Sequence, residues 1–149
     1  MGITVHKDKQ GPVWPLGNIS VVTPGTQVSI MSLVDPTSVN APETPTPGTV
    51  GADEYTSRAQ QIIFHSAKAG LGPPLLAPNT AAKFIYIVRK PTAGNGGTAD
   101  TGVVIKALSP GETFILGSAA LNRNVFNLYE YFIDADTALD GCQVTAIIQ

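Results

Sequence analysis

The density of glycine and proline is the feature that most constrains how this chain can fold. Its 149 residues include 15 glycines and 12 prolines, spread along most of its length. Proline lacks a backbone N–H, and glycine loses the most conformational entropy when it is fixed, so both interrupt regular helices. Interruptions at this density exclude a helical bundle and favour short elements joined by turns.

The apolar residues indicate that these short elements are strands. Isoleucine and valine together number 25, against 10 leucines, and β-branched side chains favour extended backbone. Hydrophobic residues make up 43% of the chain, which is enough to build a core. We therefore predict an all-β fold, a single β-sandwich or small β-barrel of about eight short strands. The predicted strands are 19–23, 26–34, 60–67, 84–88, 102–108, 113–116, 129–133 and 142–148.

Turn residues between these runs predict how the strands are connected. Pro24-Gly25 is typical of a type II turn, because proline presets φ at the second position and glycine accepts a positive φ at the third. We expect this turn to join 19–23 and 26–34 into a hairpin. The run 129–133 alternates only in part, so we expect it to be buried on both faces, with Phe132 in the core.

The domain organisation follows from the position of the prolines. We predict that residues 1–18 form an extended N-terminal arm, because Pro12 and Pro15 should prevent regular pairing there. We expect residues 19–149 to form a single β domain that carries a Pro-rich loop at 35–51. The arm either packs on its own domain or exchanges onto a neighbouring copy. In the second case, deleting residues 1–17 should leave the β domain folded.

The charges and the single cysteine exclude several classes of protein. Charged residues are only 13% of the chain, and the net charge of −2 comes from scattered side chains without a basic stripe, so no nucleic-acid binding is expected. No apolar run approaches the ~18 residues of a membrane span, and the first residues do not resemble a secretory signal. Cys142, in an apolar strand, is expected to be a buried, inert thiol. So weakly charged a surface either is covered by partner subunits or is a neutral, Thr- and Ser-rich exterior.

No local arrangement of residues predicts catalysis, so we expect no enzyme activity and no cofactor. His6 and His65 lie far apart and neither is spaced with a second metal ligand. The acidic stretch with Asp134, Asp136 and Asp140 superficially suggests a calcium loop. It lacks the glycine and the final glutamate of an EF-hand, and an ordinary turn accounts for it better.

The C-terminal half resembles small all-β virion proteins of tailed bacteriophages, among them the capsid decoration (cement) proteins. The resemblance is best over residues 84–149, and it rests on the pattern of strand-forming and turn-forming residues. The segments concerned are Tyr86-Ile87-Val88-Arg89-Lys90, 103–108, 110–116, 122–128, 131–136 and Gly141.

The resemblance implies a structural protein that decorates and stabilises the outside of the capsid. Such a protein would be assembled in the host cytoplasm, bind the major capsid protein and associate with itself, most simply as a homotrimer. We expect the partner contacts on the arm and on the Pro-rich loop, because aromatic anchors dominate interfaces and pre-extended segments lose little entropy on binding. The candidate contacts are Val13, Trp14, Leu16, Pro42, Pro45 and Pro47. Two alternatives remain: a phage tail or baseplate protein, and a β-sandwich module that binds carbohydrate or a host surface.

Overall fold

The computed structural model describes residues 13–33, 58–70, 75–91, 101–117 and 126–147. Within these ranges the chain forms twelve β-strands, a 3-10 helix at Leu128–Glu130 and no α-helix, which confirms the all-β prediction. The strands are β1 Val13–Ser20, β2 Val28–Ser29, β3 Arg58–Ala59, β4 Gln61–Ser66, β5 Lys68–Ala69, β6 Leu76–Ala77, β7 Ile85–Arg89, β8 Val103–Leu108, β9 Thr113–Gly117, β10 Phe126–Asn127, β11 Tyr131–Ala135 and β12 Gly141–Ile147.

Eight of these strands make two four-stranded antiparallel sheets. Sheet 1 has the order β1-β12-β4-β9, and sheet 2 has the order β2-β11-β7-β8. The remaining strands form two small ribbons, β10 with β3 and β5 with β6. Apolar residues from both sheets belong to a single buried cluster, as expected for a sandwich in which two sheets pack face to face.

The strand pairs are nested along the chain. Strand β1 pairs with β12, β2 with β11, β4 with β9, and β7 with β8, so the first partner always meets the last one still free. One long antiparallel hairpin, folded over so that successive pairs alternate between two sheets, has this connectivity. It is the arrangement of an eight-stranded jelly roll.

The core lies between the sheets and is built by alternation. In β4, Ile62 and Phe64 are fully buried, while Gln61, Ile63 and His65 point to the outer face. Burying a side chain such as Phe64 contributes roughly 1.5–3 kcal/mol relative to its exposure. Sheet 1 supplies Leu16, Ile19, Ile62, Phe64, Cys142, Val144 and Ala146, and sheet 2 supplies Ile85, Ile87, Leu108, Tyr131, Ile133 and Ala135.

The predicted hairpin at 19–34 is wrong, although its turn is correct. Thr26 N donates to Thr23 O (3.0 Å) and Gly25 has φ +86°, as a type II turn requires. This turn joins β1 in sheet 1 to β2 in sheet 2, and β2 is only two residues long. A type II turn splays the flanking strands instead of matching their twist, so it suits a corner between sheets better than a tight hairpin.

The expectation that residues 13–18 belong to an unpaired arm is also wrong. Strand β1 pairs with β12 from Val13 opposite Ile147 to Ser20 opposite Gly141. The pairing register shifts between Pro15 and Gly17, and β1 is an edge strand, so a residue without an N–H is tolerated there. Residues 1–12 and the Pro-rich loop 35–51 lie outside the described residues.

Candidate interaction surfaces

The residues predicted to contact a partner from the N-terminal segment have different environments in the structure. Val13 is 56% exposed at the edge of sheet 1 and remains available to a partner. Leu16 differs from the prediction: it is 3% exposed and belongs to the core, at the point where the register of β1 shifts between Pro15 and Gly17, so its side chain is not available to a partner. Trp14 takes part in β1 through its backbone, opposite Ala146. Pro42, Pro45 and Pro47 lie outside the described residues.

Sheet 1 carries no formal charge. Its four strands contain no Asp, Glu, Lys or Arg, whereas sheet 2 contains Arg89, Lys106 and Asp134. An antiparallel sheet that faces water on one side normally presents polar and charged residues there. The outer side of sheet 1, here called the uncharged face, instead presents Val13, Pro15, Gln61, Ile63, His65, Thr113, Ile115, Gln143, Thr145 and Ile147.

A second unusual surface lies along the side of the sandwich where β8 and β9 are the edge strands. This surface, the β8–β9 edge, exposes Val103 (66%), Val104 (55%), Ile105 (38%) and Ile115 (52%). The short turn around Pro110-Gly111 carries the chain from β8 directly to β9, so these two edges are neighbours. Exposed apolar side chains on edge strands are typical of a site that another chain covers.

One ion pair lies beside this edge. Lys106 Nζ of β8 is 3.1 Å from Glu112 Oε1, at the turn before β9. Glu112 also accepts a hydrogen bond from Ser109 N (2.9 Å). The Ser109 N–H and then Lys106 lower the pKa of the Glu112 carboxyl below its ordinary value. The two opposite charges leave this part of the surface neutral.

An aromatic and acidic cluster occupies one end of the outer face of sheet 2. The rings of Phe84 and Tyr86 lie 6.4 Å apart, and Phe84 is 40% exposed. Asp136 accepts hydrogen bonds from Phe84 N (2.9 Å) and from the Tyr86 hydroxyl (2.8 Å). The Phe84 N–H first, and then Tyr86, lower the pKa of Asp136, and the same hydroxyl bond is the main reason that the pKa of Tyr86 is raised. The cluster thus combines two partly accessible rings with a carboxylate that is ionised at neutral pH.

The three carboxylates of the calcium-loop alternative point to separate partners. Asp134 Oδ1 accepts from Gly25 N (2.9 Å), and Asp136 belongs to the aromatic cluster. Asp140, 1% exposed, accepts from the backbone and hydroxyl of Thr80 and lies 3.6 Å from Lys68 Nζ. Among the described residues no group of three or more His, Cys, Asp or Glu side chains is placed to hold a metal ion. These contacts favour the interpretation of the stretch as a turn.

The described residues contain one histidine, His65, and one cysteine, Cys142. His65 Nδ1 lies 2.9 Å from Thr113 Oγ1 on the uncharged face. Cys142 is fully buried in the core, and burial raises the pKa of its thiol to about 12, so it stays protonated at neutral pH.

Comparison of the chain with protein-family models, with curated proteins and with solved structures found no match. Across the described ranges, no helix has the length and apolar character that a membrane crossing requires. The surfaces described above are therefore the basis for considering function. Sequence reasoning missed most of them, because an edge position and a shared outer face depend on which strands become neighbours.

Proposed function

We propose that this protein is a structural virion protein that decorates a bacteriophage capsid and binds across major capsid protein subunits as a homo-oligomer. The observation that carries the proposal is the uncharged face. A four-stranded sheet without a formal charge loses little hydration free energy when a partner covers it, because few charged groups must leave water. A protein that multiplies weak contacts over many copies needs such a surface more than it needs a deep pocket.

Two further observations are compatible with this proposal. The nested jelly-roll connectivity is used by viral capsid domains, although also by lectins and cupins, so the fold is compatible with the proposal and does not select it. Val13, a member of the predicted anchor, is exposed and lies at the border of the uncharged face. The expected contact region of the N-terminal segment and the uncharged face are thus continuous.

A binding assay on expanded, undecorated heads built from the major capsid protein of the same phage tests the proposal. Thr145→Lys places a charge in the middle of the uncharged face, where Thr145 lies between Pro15 and Ile63 on the neighbouring strands. We expect this variant to lose affinity by a factor of ten or more, about 1.4 kcal/mol. Val22→Lys, at the exposed corner after β1 and outside the surfaces described above, is the matched control and should bind as the wild type does.

Failure to bind heads, or equal binding by Thr145→Lys and the wild type, would contradict the proposal. Labelling of virions with antibody distinguishes the tail or baseplate alternative, because it places the protein on the head or on the tail. The binding of the lysine variants can be compared with that of the wild type only if the variants are folded. Matching circular dichroism spectra of the two lysine variants provide that control.

The aromatic and acidic cluster supports a second candidate function, binding of carbohydrate or of a host surface. Sugar rings stack on exposed aromatic faces while carboxylates accept hydrogen bonds from their hydroxyl groups. Phe84 and Tyr86 with Asp136 supply both kinds of contact on one surface. Glycan-array binding that is lost in Phe84→Ala would support this function, and an array without signal would leave the capsid proposal as the better one.

A further inference from the structure

The outer side of β9 is a strand edge that the described part of the chain leaves without a pairing partner. Strand β9 pairs with β4 on one side only and ends sheet 1. From the chemistry of this edge we infer that β9 pairs antiparallel with β9 of a second copy of this chain, about a two-fold axis through Ile115. The pair would join two four-stranded sheets into one continuous sheet of eight strands.

The edge strands on the two sides of the sandwich differ in the features that prevent pairing with another chain. On one side, β1 contains Pro15 and a shift in register, and β2 is only two residues long. Prolines, bulges and very short strands are the devices by which proteins prevent edge-to-edge pairing. On the other side, β9 has five residues without proline and without charge, in the sequence Thr-Phe-Ile-Leu-Gly. An edge that lacks all of these devices is suited to accept another strand.

The charge on this side of the molecule favours a second copy as the partner. A surface with excess charge of one sign repels its own copy, whereas a neutral surface does not. Strand β9 is uncharged, and Lys106 and Glu112 beside it are opposite in sign and 3.1 Å apart. Two identical β9 edges can therefore approach each other without like-charge repulsion.

The side chains fit one register. Pairing centred on Ile115 is the only antiparallel self-pairing that uses all five residues of β9, because it sets Thr113 opposite Gly117 and Phe114 opposite Leu116. Ile115 is 52% exposed in the single chain and would meet its own copy on the outer face. Phe114 and Leu116 are half-buried against the core and would extend the apolar layer across the new junction. Thr113 would lie opposite Gly117, where Gln60 O and the ring of Phe126 already fill the place of a side chain.

A β9 dimer is one form of the self-association that the proposed function requires, and it rests on that proposal in this respect. It differs from the trimer that the resemblance implies. The mass in solution separates the two arrangements. Head binding tests the capsid proposal independently, because a protein that dimerises through β9 but does not bind heads would contradict only the capsid proposal. A head-binding protein that shows no β9 contact contradicts only the present inference.

Disulfide trapping with Ile115→Cys tests the contact directly. Opposed residues of antiparallel strands have Cα atoms about 4.5–5.5 Å apart, within the range of about 4.4–6.8 Å that a disulfide spans. The native Cys142 is buried, with a pKa of about 12, and should not interfere. We expect mild oxidation to convert most of the variant into a covalent species of twice 15.5 kDa. Val22→Cys, 68% exposed at the corner after β1, gives the rate of random collisions.

Sedimentation equilibrium of the full-length protein, which gives its mass in solution, completes the test. Wild type and Val22→Lys should have the mass of two chains, and Ile115→Lys, which sets two ammonium groups against each other, should have the mass of one. Cross-linking of Ile115→Cys no faster than of Val22→Cys would overturn the inference. So would a wild-type mass of one or three chains at ~100 µM, or a dimer of Ile115→Lys as stable as that of the wild type.

Discussion

Neighbouring residues of β11 have opposite environments, and this corrects the expectation that Phe132 lies in the core. Ile133 is fully buried between the sheets. Phe132 lies half-buried on the outer face, where Lys90 Nζ is 4.6 Å from the centre of its ring. We expect Ile133→Ala to lower the free energy of unfolding by about 2–5 kcal/mol through the cavity that it leaves. Phe132→Ala should cost clearly less, and urea unfolding that ranks the two variants the other way would contradict this assignment.

The Asp136 carboxylate predicts a pH dependence of stability with a definite sign. Its folded-state pKa is lowered, chiefly by the Phe84 N–H and then by the Tyr86 hydroxyl. Its contribution is therefore complete above the ordinary value of about 3.9 and is lost as the pH falls through the lowered pKa. The difference in melting temperature between wild type and Asp136→Asn should be constant from pH 5 to 7 and shrink below about pH 4. A difference that persists unchanged to pH 2 would show that the carboxylate charge plays no part.

At the scale of elements, two glycines with positive φ should respond differently to alanine. Gly111 has φ +79° at the β8–β9 corner, with open space where a Cβ would lie. Gly117 has φ +89° at the end of β9, and a Cβ there would overlap Gln60 O and the ring of Phe126. We expect Gly111→Ala to cost about 1–2 kcal/mol from backbone strain alone. Gly117→Ala should cost about 4 kcal/mol or more, and similar melting curves for the two would contradict the packing at Gly117.

The strands were more predictable than their partners. Runs such as Gln61–Ser66 and Val103–Leu108 are visible in the sequence because β-branched residues cluster there. Pairing was not visible, since β1 and β12 meet across more than a hundred residues and nothing local reports that contact. The candidate surfaces share this limit. The lack of charge in sheet 1 becomes a feature only when β1, β4, β9 and β12 are known to be neighbours.

At the scale of the whole molecule, the nested pairing makes the first strand, β1, an integral part of the sandwich. Strand β1 covers one side of β12, and it adds Leu16 and Ile19 to the core. Deleting residues 1–17 should therefore unfold or strongly destabilise the chain, whereas an arm that exchanges onto a neighbour would leave the β domain folded when deleted. Losing Leu16 alone removes roughly 2–3 kcal/mol of burial, and the exposed flank of β12 adds to it. Deletion of residues 1–12 keeps β1 and is the matched control. Thermal melts followed by circular dichroism should separate the two truncations by about 10 °C or more, and equal melting temperatures would show that β1 does not close the sandwich.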